Sequence, residues 1–192
     1  MIAIIKYNGG NVSSVQNALN RFGAESIITD DFELIKEADK VIFPGVGEAS
    51  STMKILKEKG LDQLIPTLKQ PVLGICLGMQ LMCKNNEEGN TVGMGIFDLN
   101  VKKFPAKDIV PHMGWNTISD FKSTIYSEVK EESDVYFVHS FYCELSENTT
   151  AVCDYILPFS ASLQKDNFYA MQFHPEKSGK IGSQLLQNFL KL

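Results

Sequence analysis

Short apolar runs alternate with amphipathic segments through about the first eighty residues of the chain. The apolar runs predict buried strands at residues 2–6, 25–28, 40–43 and 72–75. The amphipathic segments predict helices at residues 11–22, 30–37, 50–59 and 61–68. Because strands that alternate with helices are joined by right-handed crossovers, this order predicts a mostly parallel sheet with helices on both faces.

The pattern changes after about residue 92, where short β-prone pieces replace the alternation. These pieces predict antiparallel additions at residues 96–101, 123–129, 135–139 and 141–145. Two further strands are predicted at residues 160–164 and 168–173, followed by an amphipathic helix at residues 181–190. The chain is therefore predicted to form one α/β domain over residues 1–192, with a central mostly parallel sheet and added antiparallel strands.

Glycine-bearing loops follow three of the predicted strands, at residues 8–10, 44–47 and 74–78. The carboxyl ends of parallel strands meet along one edge of a sheet, where open α/β folds carry their active sites. The third loop, Gly-Ile-Cys-Leu-Gly, places Cys76 between a strand and a helix. This is typical of a nucleophile elbow, since glycine permits the sharp bend and a helix start favours the thiolate. Cys76 is therefore predicted to attack a carbonyl group.

A candidate base and a carboxylate follow far downstream, in the segment Phe-His-Pro-Glu at residues 173–176. His174 can take a proton from Cys76 and return it to a leaving amine, and Glu176 can hold the imidazole in the required tautomer. Donors for the oxyanion are expected from the N–H of Leu77 and from the glycine loop that contains Gly47. The sequence thus predicts a cysteine acyl-transfer enzyme.

The composition is that of an ordinary globular protein and argues against several classes of partner. The chain is 44% hydrophobic and has a net charge of −5, whereas a nucleic-acid surface needs a basic field. No apolar run approaches the roughly 20 residues that span a bilayer. Because no secretory signal pattern opens the sequence, we expect a cytoplasmic protein with no membrane segment.

Four cysteines occur in the sequence, and none belongs to a Cys-x-x-Cys pair. A zinc site is therefore not expected. Cys83, Cys143 and Cys153 are predicted to be reduced, buried and small hydrophobic residues.

The Pro-Gly loop at residues 44–47, the Gly-x-Cys-x-Gly elbow and the late His-Pro-Glu together resemble the class I glutamine amidotransferases, over nearly the whole chain. The resemblance implies a flavodoxin-like three-layer domain that acts on L-glutamine without a metal or cofactor. It implies a triad of Cys76, His174 and Glu176, with Gly47 in the oxyanion loop. It also implies contacts with glutamine from Gln80, Glu88, His139, Ser140 and Phe141. Among these, Glu88 would meet the α-ammonium group, and the backbone of residues 139–141 would meet the α-carboxylate.

Within that class, the chain most resembles the glutaminase subunits of imidazole glycerol phosphate synthase. The resemblance rests on Pro-Gly-Val-Gly at 44–47, Cys-Leu-Gly-Met-Gln at 76–80, Pro-His-Met-Gly-Trp-Asn at 111–116 and Tyr-Phe-Val-His-Ser-Phe at 136–141. It implies a one-to-one heterodimer with a (β/α)8-barrel cyclase, which receives ammonia through a channel. The cyclase makes imidazole glycerol phosphate and aminoimidazole carboxamide ribotide in histidine biosynthesis. Glutaminase activity is then expected to rise when the cyclase binds its nucleotide.

The sequence departs from the pattern of that family in three places. The opening reads Lys-Tyr-Asn-Gly-Gly-Asn at residues 6–11, where Asp-Tyr-Gly-x-Gly-Asn is usual, and Ser13 replaces a common arginine. Glu48 and Ala49 follow Gly47 where Ala-Phe is expected. None of these residues belongs to the triad, so the departures concern the partner interface.

Other interpretations remain open from the sequence. The chain could be another glutaminase of the class, feeding pyridoxal phosphate or anthranilate synthesis, a hydrolase or peptidase of the same fold, or a binding subunit without activity. His112 is favoured as a structural residue. Trp115 is equally compatible with the core and with a partner interface.

Overall fold

The computed structural model describes residues 1–7 and 11–192, so the predicted loop at residues 8–10 lies outside the described residues. The helices are α1 (Val12–Asn20), α2 (Phe32–Glu37), α3 (Ala49–Glu58), α4 (Leu61–Leu64), α5 (Leu77–Met82) and α6 (Gly179–Lys191). Short 3-10 turns lie at Ile65–Thr67, Glu88–Asn90, Thr124–Tyr126 and Pro175–Lys177.

The strands divide into a long sheet and a small one. The first strands in the chain are β1 (Ile2–Ile5), β2 (Ser26–Thr29), β3 (Lys40–Gly45), β4 (Val72–Cys76), β5 (Cys83–Asn86), β6 (Thr91–Val92) and β7 (Phe97–Lys103). The later strands are β8 (His112–Ser119), β9 (Ser133–His139), β10 (Phe141–Cys143), β11 (Thr149–Asp154), β12 (Pro158–Lys165) and β13 (Phe168–Met171).

The long sheet is half parallel and half antiparallel. Its order is β2-β1-β3-β4-β13-β12-β11-β8-β9. The pairs from β2 to β13 are parallel, and the pairs from β13 to β9 are antiparallel. The chain therefore builds a parallel core from its first part, as the alternation of strands and helices predicts, and β13 returns to the centre of the sheet, as predicted for residues 168–173.

Side chains alternate between the two faces of the sheet and form two separate cores. On β1, Ile5 packs in one core with Met53 of α3, whereas Ile4 packs in the other with Leu19 of α1 and Leu185 of α6. Both faces of these central strands are buried, which explains why the strands read as continuous apolar runs. The result is the predicted three-layer arrangement of helices, sheet and helices.

The small sheet, ordered β10-β7-β5-β6, belongs to the same core as α3. Its strand β5 follows α5 directly, so one short helix connects the elbow at Cys76 to the small sheet. Cys83 on β5 and Cys143 on β10 are both buried, and their sulfur atoms lie 3.6 Å apart. Together with the buried Cys153, they match the prediction of free and buried thiols.

One predicted strand is wrong, and several strands are missing from the prediction. Residues 123–129 form no strand and contain the 3-10 turn Thr124–Tyr126, because the Ser123 hydroxyl accepts a hydrogen bond from the Ile125 N–H and starts the turn. The sequence analysis also did not predict β5, β6, β8 and β11 as strands. None of the described helices is long and apolar enough to cross a membrane.

Candidate active site

The elbow that carries Cys76 is tightly packed and strained. Cys76 ends β4 and precedes α5 with φ of 53° and ψ of −110°, a conformation that an L-residue rarely adopts. Glycine is required around it, because a Cβ at Gly78 would overlap the carbonyl oxygen of Phe43 on β3. A Cβ at Gly45 would lie 2.5 Å from the Gly78 nitrogen. The strand, the turn and the helix thus approach closely enough to fix the sulfur in one place.

The glycine loop after β3 lies directly beside the elbow. β3 and β4 are parallel neighbours, and their register puts Gly45 opposite Cys76. The loop continues to Gly47, whose φ of 106° favours glycine. From the other side, the Tyr7 hydroxyl donates a hydrogen bond of 2.8 Å to the Pro44 carbonyl and anchors the start of the loop.

His174 and Glu176 form a buried pair after β13. The Nδ1 atom of His174 lies 2.8 Å from Oε1 of Glu176, and both side chains are 1% exposed. The His174 backbone is held on both sides, since its N–H donates to the Tyr136 carbonyl of β9 and its carbonyl accepts from the Ser178 hydroxyl. Within the described part of the chain, Nε2 of His174 has no well-aligned hydrogen-bond partner. This nitrogen is therefore available for proton transfer.

The surroundings of His174 favour its protonated form. Burial alone would lower the pKa of the imidazole, but the neighbouring Cys76 thiol and the Glu176 carboxylate outweigh it and raise the pKa to about 9. The imidazole is thus charged at neutral pH when it faces a thiolate.

A cavity of about 330 Å³ opens over the elbow and the histidine, a size within the range of small-ligand pockets. Its wall contains almost every residue that the sequence analysis selected: Gly47, Cys76, Leu77, Gln80, Glu88, His139, Ser140, Phe141 and His174. Val46, Pro111 and Val138 complete the lining. Glu176 does not line the cavity and contacts it only through His174.

Glu88 is fixed on the cavity wall by the helix that follows the glycine loop. Its Oε2 accepts a hydrogen bond of 2.8 Å from the N–H of Ala49, the first residue of α3. Burial raises the pKa of Glu88, the Ala49 N–H opposes this shift, and the negative charge of Glu48 adds to it. Glu48 itself caps α3 by accepting from the Ser50 and Ser51 N–H groups, which lowers its pKa to about 2. The departure from the family pattern at residues 48–49 thus supplies a helix cap.

Two neutral histidines support the far wall of the cavity. Nδ1 of His139 lies 2.7 Å from the Phe141 carbonyl, which can only accept, so this nitrogen carries the proton. Nε2 of His139 therefore accepts from Nδ1 of His112 at 3.0 Å. Burial lowers the pKa of His139 to about 3 and that of His112 to about 4. His112 also stacks on Tyr155, which agrees with the structural role favoured for it.

Gln80 lines the cavity, but its carboxamide is hydrogen-bonded to protein atoms. Its Nε2 donates to the Phe141 carbonyl at 3.1 Å and to Oε1 of Gln172 at 3.0 Å, and its Oε1 accepts from Asn86 at 3.2 Å. Nε2 of Gln172 lies 3.7 Å from the sulfur of Cys76. Sequence reasoning missed Gln172 and Asn86, although Gln172 directly precedes the Phe-His-Pro-Glu segment.

Trp115 lies on the surface and not in the core. It projects from β8 with 59% of its surface exposed, and Met113 on the same strand is 66% exposed. The ring edge of Trp115 packs near Tyr136. The core role considered for Trp115 is therefore excluded.

Comparisons with known proteins agree with this geometry. The family model described as glutamine amidotransferase class-I matches residues 4–192. The chain belongs to the class I glutamine amidotransferases. As a member, it is a glutamine-hydrolysing enzyme.

Similar curated relatives include proteins named imidazole glycerol phosphate synthase subunit HisH. The relative from Bacteroides fragilis (strain YCH46) is 60% identical over 100% of this amidotransferase chain and 99% of its own length. The relative from Pasteurella multocida (strain Pm70) is 45% identical over 99% of this chain and 97% of its own. The chain thus spans nearly the full length of both relatives.

Solved structures resemble this amidotransferase in fold. One, described as a glutamine amidotransferase, has a TM-score of 0.75 at 18% identity, covering 100% of this chain and 98% of the other. Another, PurLQS from Thermotoga maritima, has a TM-score of 0.73 at 15% identity, covering 99% of this chain and 97% of the other. The predicted flavodoxin-like α/β class is confirmed.

Proposed function

We propose that this chain hydrolyses L-glutamine through a thioester on Cys76 and passes the ammonia to a cyclase partner in histidine biosynthesis. One observation carries the proposal: the buried pair of His174 and Glu176 lies at the same cavity as the strained elbow of Cys76. The names of the relatives support the pathway. We also propose that residues 1–192 act as one catalytic domain, in the cytoplasm, where a thiol nucleophile stays reduced.

In the first step, the Cys76 thiolate attacks the side-chain carbonyl carbon of glutamine and forms a tetrahedral oxyanion. His174, charged at neutral pH because its pKa is about 9, then donates its Nε2 proton to the side-chain nitrogen. The carbon–nitrogen bond breaks, ammonia leaves, and a γ-glutamyl thioester remains on Cys76. Glu176 keeps the imidazole oriented through its 2.8 Å hydrogen bond with Nδ1.

In the second step, water replaces ammonia. The neutral His174 takes a proton from water as the oxygen attacks the thioester carbon. The carbon–sulfur bond then breaks, glutamate leaves, and the pair of thiolate and imidazolium is restored. No other reactant is needed for this sequence.

Two backbone donors are proposed for the oxyanion. Leu77 is the first residue of α5, so its N–H has no acceptor within the helix and borders the cavity. Gly47 lines the cavity from the adjacent loop, and its φ of 106° allows its peptide to turn a donor inward. Removing one such donor costs about 3 kcal/mol of barrier in comparable enzymes.

The rest of the cavity is proposed to bind the amino-acid end of glutamine. Glu88 would pair with the α-ammonium group, whose positive charge favours the ionised carboxylate. The α-carboxylate would accept hydrogen bonds from backbone N–H groups near His139, Ser140 and Phe141, because an ionised carboxylate can only accept. Gln80 would hold this wall, since both of its carboxamide atoms are engaged.

The proposed partner is a (β/α)8-barrel cyclase bound one to one. Ammonia can react only when it is unprotonated, so direct transfer to the partner avoids its loss to bulk water. Pro111 lines the cavity, and the exposed apolar side chains of Met113 and Trp115 follow at once on β8. Exposed aromatic residues of this kind are common anchors of interfaces. A docking surface beside the cavity would put the partner where ammonia emerges.

The test is co-purification with the candidate cyclase, followed by turnover with glutamine or with ammonium. Cys76→Ala should abolish glutamine-dependent turnover and leave ammonium-dependent turnover intact. Glutamate release should also increase when the cyclase and its nucleotide are added. Glutamine-dependent turnover in Cys76→Ala would refute the thioester, and failure to bind the cyclase would refute the partner.

A further inference from the structure

Three buried carboxamides form a continuous row behind the nucleophile. Asn86, Gln80 and Gln172 are 2%, 4% and 0% exposed, and hydrogen bonds join each to the next. The row ends at the sulfur of Cys76, 3.7 Å from Nε2 of Gln172. A buried carboxamide can point its oxygen or its nitrogen at a neighbour, so the effect on the sulfur depends on its orientation.

Backbone groups at two points determine that orientation. The N–H of Glu88 lies 2.8 Å from Asn86 and can only donate, so it faces the Asn86 oxygen. The Asn86 nitrogen therefore faces Gln80 and meets its oxygen. Independently, the Phe141 carbonyl can only accept, so it faces the Gln80 nitrogen. Both arguments give Gln80 the same orientation.

The orientation of Gln80 then decides that of Gln172. The Gln80 nitrogen faces Gln172, so the Gln172 atom at 3.0 Å must be the oxygen. The remaining atom, the nitrogen, faces the Cys76 sulfur. The reverse orientation would bring two N–H groups together at one end of Gln172. The row thus presents an N–H donor to the nucleophile.

A donor aimed at sulfur affects thiol and thiolate differently. A thiolate accepts a charge-assisted hydrogen bond, which is about twice as strong as a neutral one. The neutral thiol has another partner, because the Cys76 sulfur also lies 3.9 Å from the Val138 carbonyl, which can accept its proton. Gln172 therefore stabilises the reactive form, and His174 takes up the proton.

We propose that Gln172 is a positioning residue that donates its carboxamide N–H to the Cys76 sulfur and favours the thiolate, with its orientation set by Gln80 and Asn86. This inference rests on the proposed role of Cys76 as the nucleophile. It goes further by giving a role to a residue outside the triad, the oxyanion loop and the glutamine contacts. It also links the Glu88 backbone to the sulfur through one row of hydrogen bonds.

The test compares the full-length protein with Gln172→Met, which keeps the volume and removes the donor. The readouts are the pH profile of Cys76 alkylation by iodoacetamide, followed on the Cys76 peptide, and the separate values of kcat and KM. Loss of a hydrogen bond to a charged group predicts roughly tenfold slower alkylation at pH values below the half-maximal point, where the thiolate fraction limits the rate. The half-maximal rate should move to higher pH by about one unit. We expect kcat to fall by a similar factor while KM changes little.

Gln172→Glu is a second variant of nearly the same shape. Its carboxylate cannot donate and repels the thiolate, so the profile should move to still higher pH. Gln164→Met is the matched control, because Gln164 carries a carboxamide on β12 that bonds Ser123 and not the nucleophile. The control should keep the wild-type profile even if it melts at a lower temperature.

An unchanged alkylation profile in either folded Gln172 variant would overturn the inference, whatever its thermal stability. That result leaves the proposed function standing, because wild-type Cys76 would still label. If wild-type Cys76 resists alkylation and Cys76→Ala still hydrolyses glutamine, the proposed function itself fails.

Discussion

Two buried histidines at one cavity have opposite protonation behaviour, because only His174 lies beside groups that outweigh the effect of burial. Burial lowers the pKa of His139 to about 3. His174 is equally buried, yet the neighbouring thiol and the Glu176 carboxylate raise its pKa to about 9. One imidazole therefore supports the wall as a neutral group, and the other holds a proton where the chemistry needs one. Two neighbours of His174, the Cys76 thiol and the Glu176 carboxylate, produce this difference.

Replacing Glu176 with glutamine removes that carboxylate while keeping its size. The pKa of His174 should fall from about 9, because burial then opposes the charge with less compensation. We expect kcat to drop by at least about a hundredfold, since the imidazole loses both its orientation and the stabilisation of its charge. NMR titration of the imidazole and steady-state kinetics measure the two effects.

Glu33→Gln is the matched control for this change, because Glu33 pairs with Lys36 on the exposed face of α2. It should alter neither the pKa of His174 nor kcat. If the pKa of His174 remained at about 9 in Glu176→Gln, the Glu176 carboxylate would not be a cause of the raised pKa.

Some of these site residues could be predicted from the sequence. Cys76, His174 and Glu176 stand in short motifs whose spacing indicates their chemistry. Gln172 could not be identified in that way, because an uncharged carboxamide has no motif of its own. Its effect depends on contact with a sulfur 96 positions earlier in the chain, which only the folded structure shows.

Among the elements, the elbow between β4 and α5 depends most on the absence of side chains. Gly45 and Gly78 let β3, β4 and the start of α5 approach within backbone contact. Their closeness sets the positions of both the sulfur and the glycine loop. The sequence therefore shows which glycines form the elbow. It does not show that Gly78 packs against Phe43 of the neighbouring strand β3.

Gly78→Ala should destabilise the protein strongly. The added Cβ would overlap the Phe43 carbonyl oxygen, which belongs to a central strand and cannot move aside easily. We expect a loss of about 3 kcal/mol in the free energy of unfolding, measured by urea denaturation. Gly23→Ala is the control, because its Cβ meets open space and its φ of 68° costs only about 1 kcal/mol. Equal losses in the two variants would show that the close packing at the elbow is not limiting.

Elements beyond the parallel core were harder to predict. Most elements through β4 follow simple alternation, and their predicted bounds fall within a few residues of the observed ones. In β8, by contrast, Met113 and Trp115 are apolar but lie on the exposed face, so apolar residues do not mark the buried face of this strand. Residues 123–129 are rich in β-prone side chains, but the Ser123 hydroxyl turns the chain locally. Exposed apolar side chains in β8 and the local cap at Ser123 override the hydrophobic pattern there.

For the whole molecule, buried neutral histidines couple folding to pH. The ordinary pKa of histidine is near 6.5, whereas His112 and His139 titrate at about 4 and about 3 when folded. Between those values the unfolded chain binds more protons than the folded one. Stability must therefore fall as the pH drops below about 6.5, with each histidine contributing at most about 1.4 kcal/mol per pH unit.

Replacing His112 with asparagine isolates one of these contributions. The variant should be less stable than wild type at neutral pH, because it loses the stacking on Tyr155 and the hydrogen bond to His139. The difference in free energy of unfolding should shrink steadily from about pH 6.5 to about pH 4. Over this range wild type loses stability because its buried imidazole resists protonation, whereas the variant has no imidazole at this position. Urea denaturation across this range measures the difference. Tyr155→Phe removes a hydroxyl bonded to the Ile109 carbonyl and adds no titrating group, so its deficit should stay constant with pH. A His112→Asn deficit that is equally constant would mean that folding does not lower the pKa of His112.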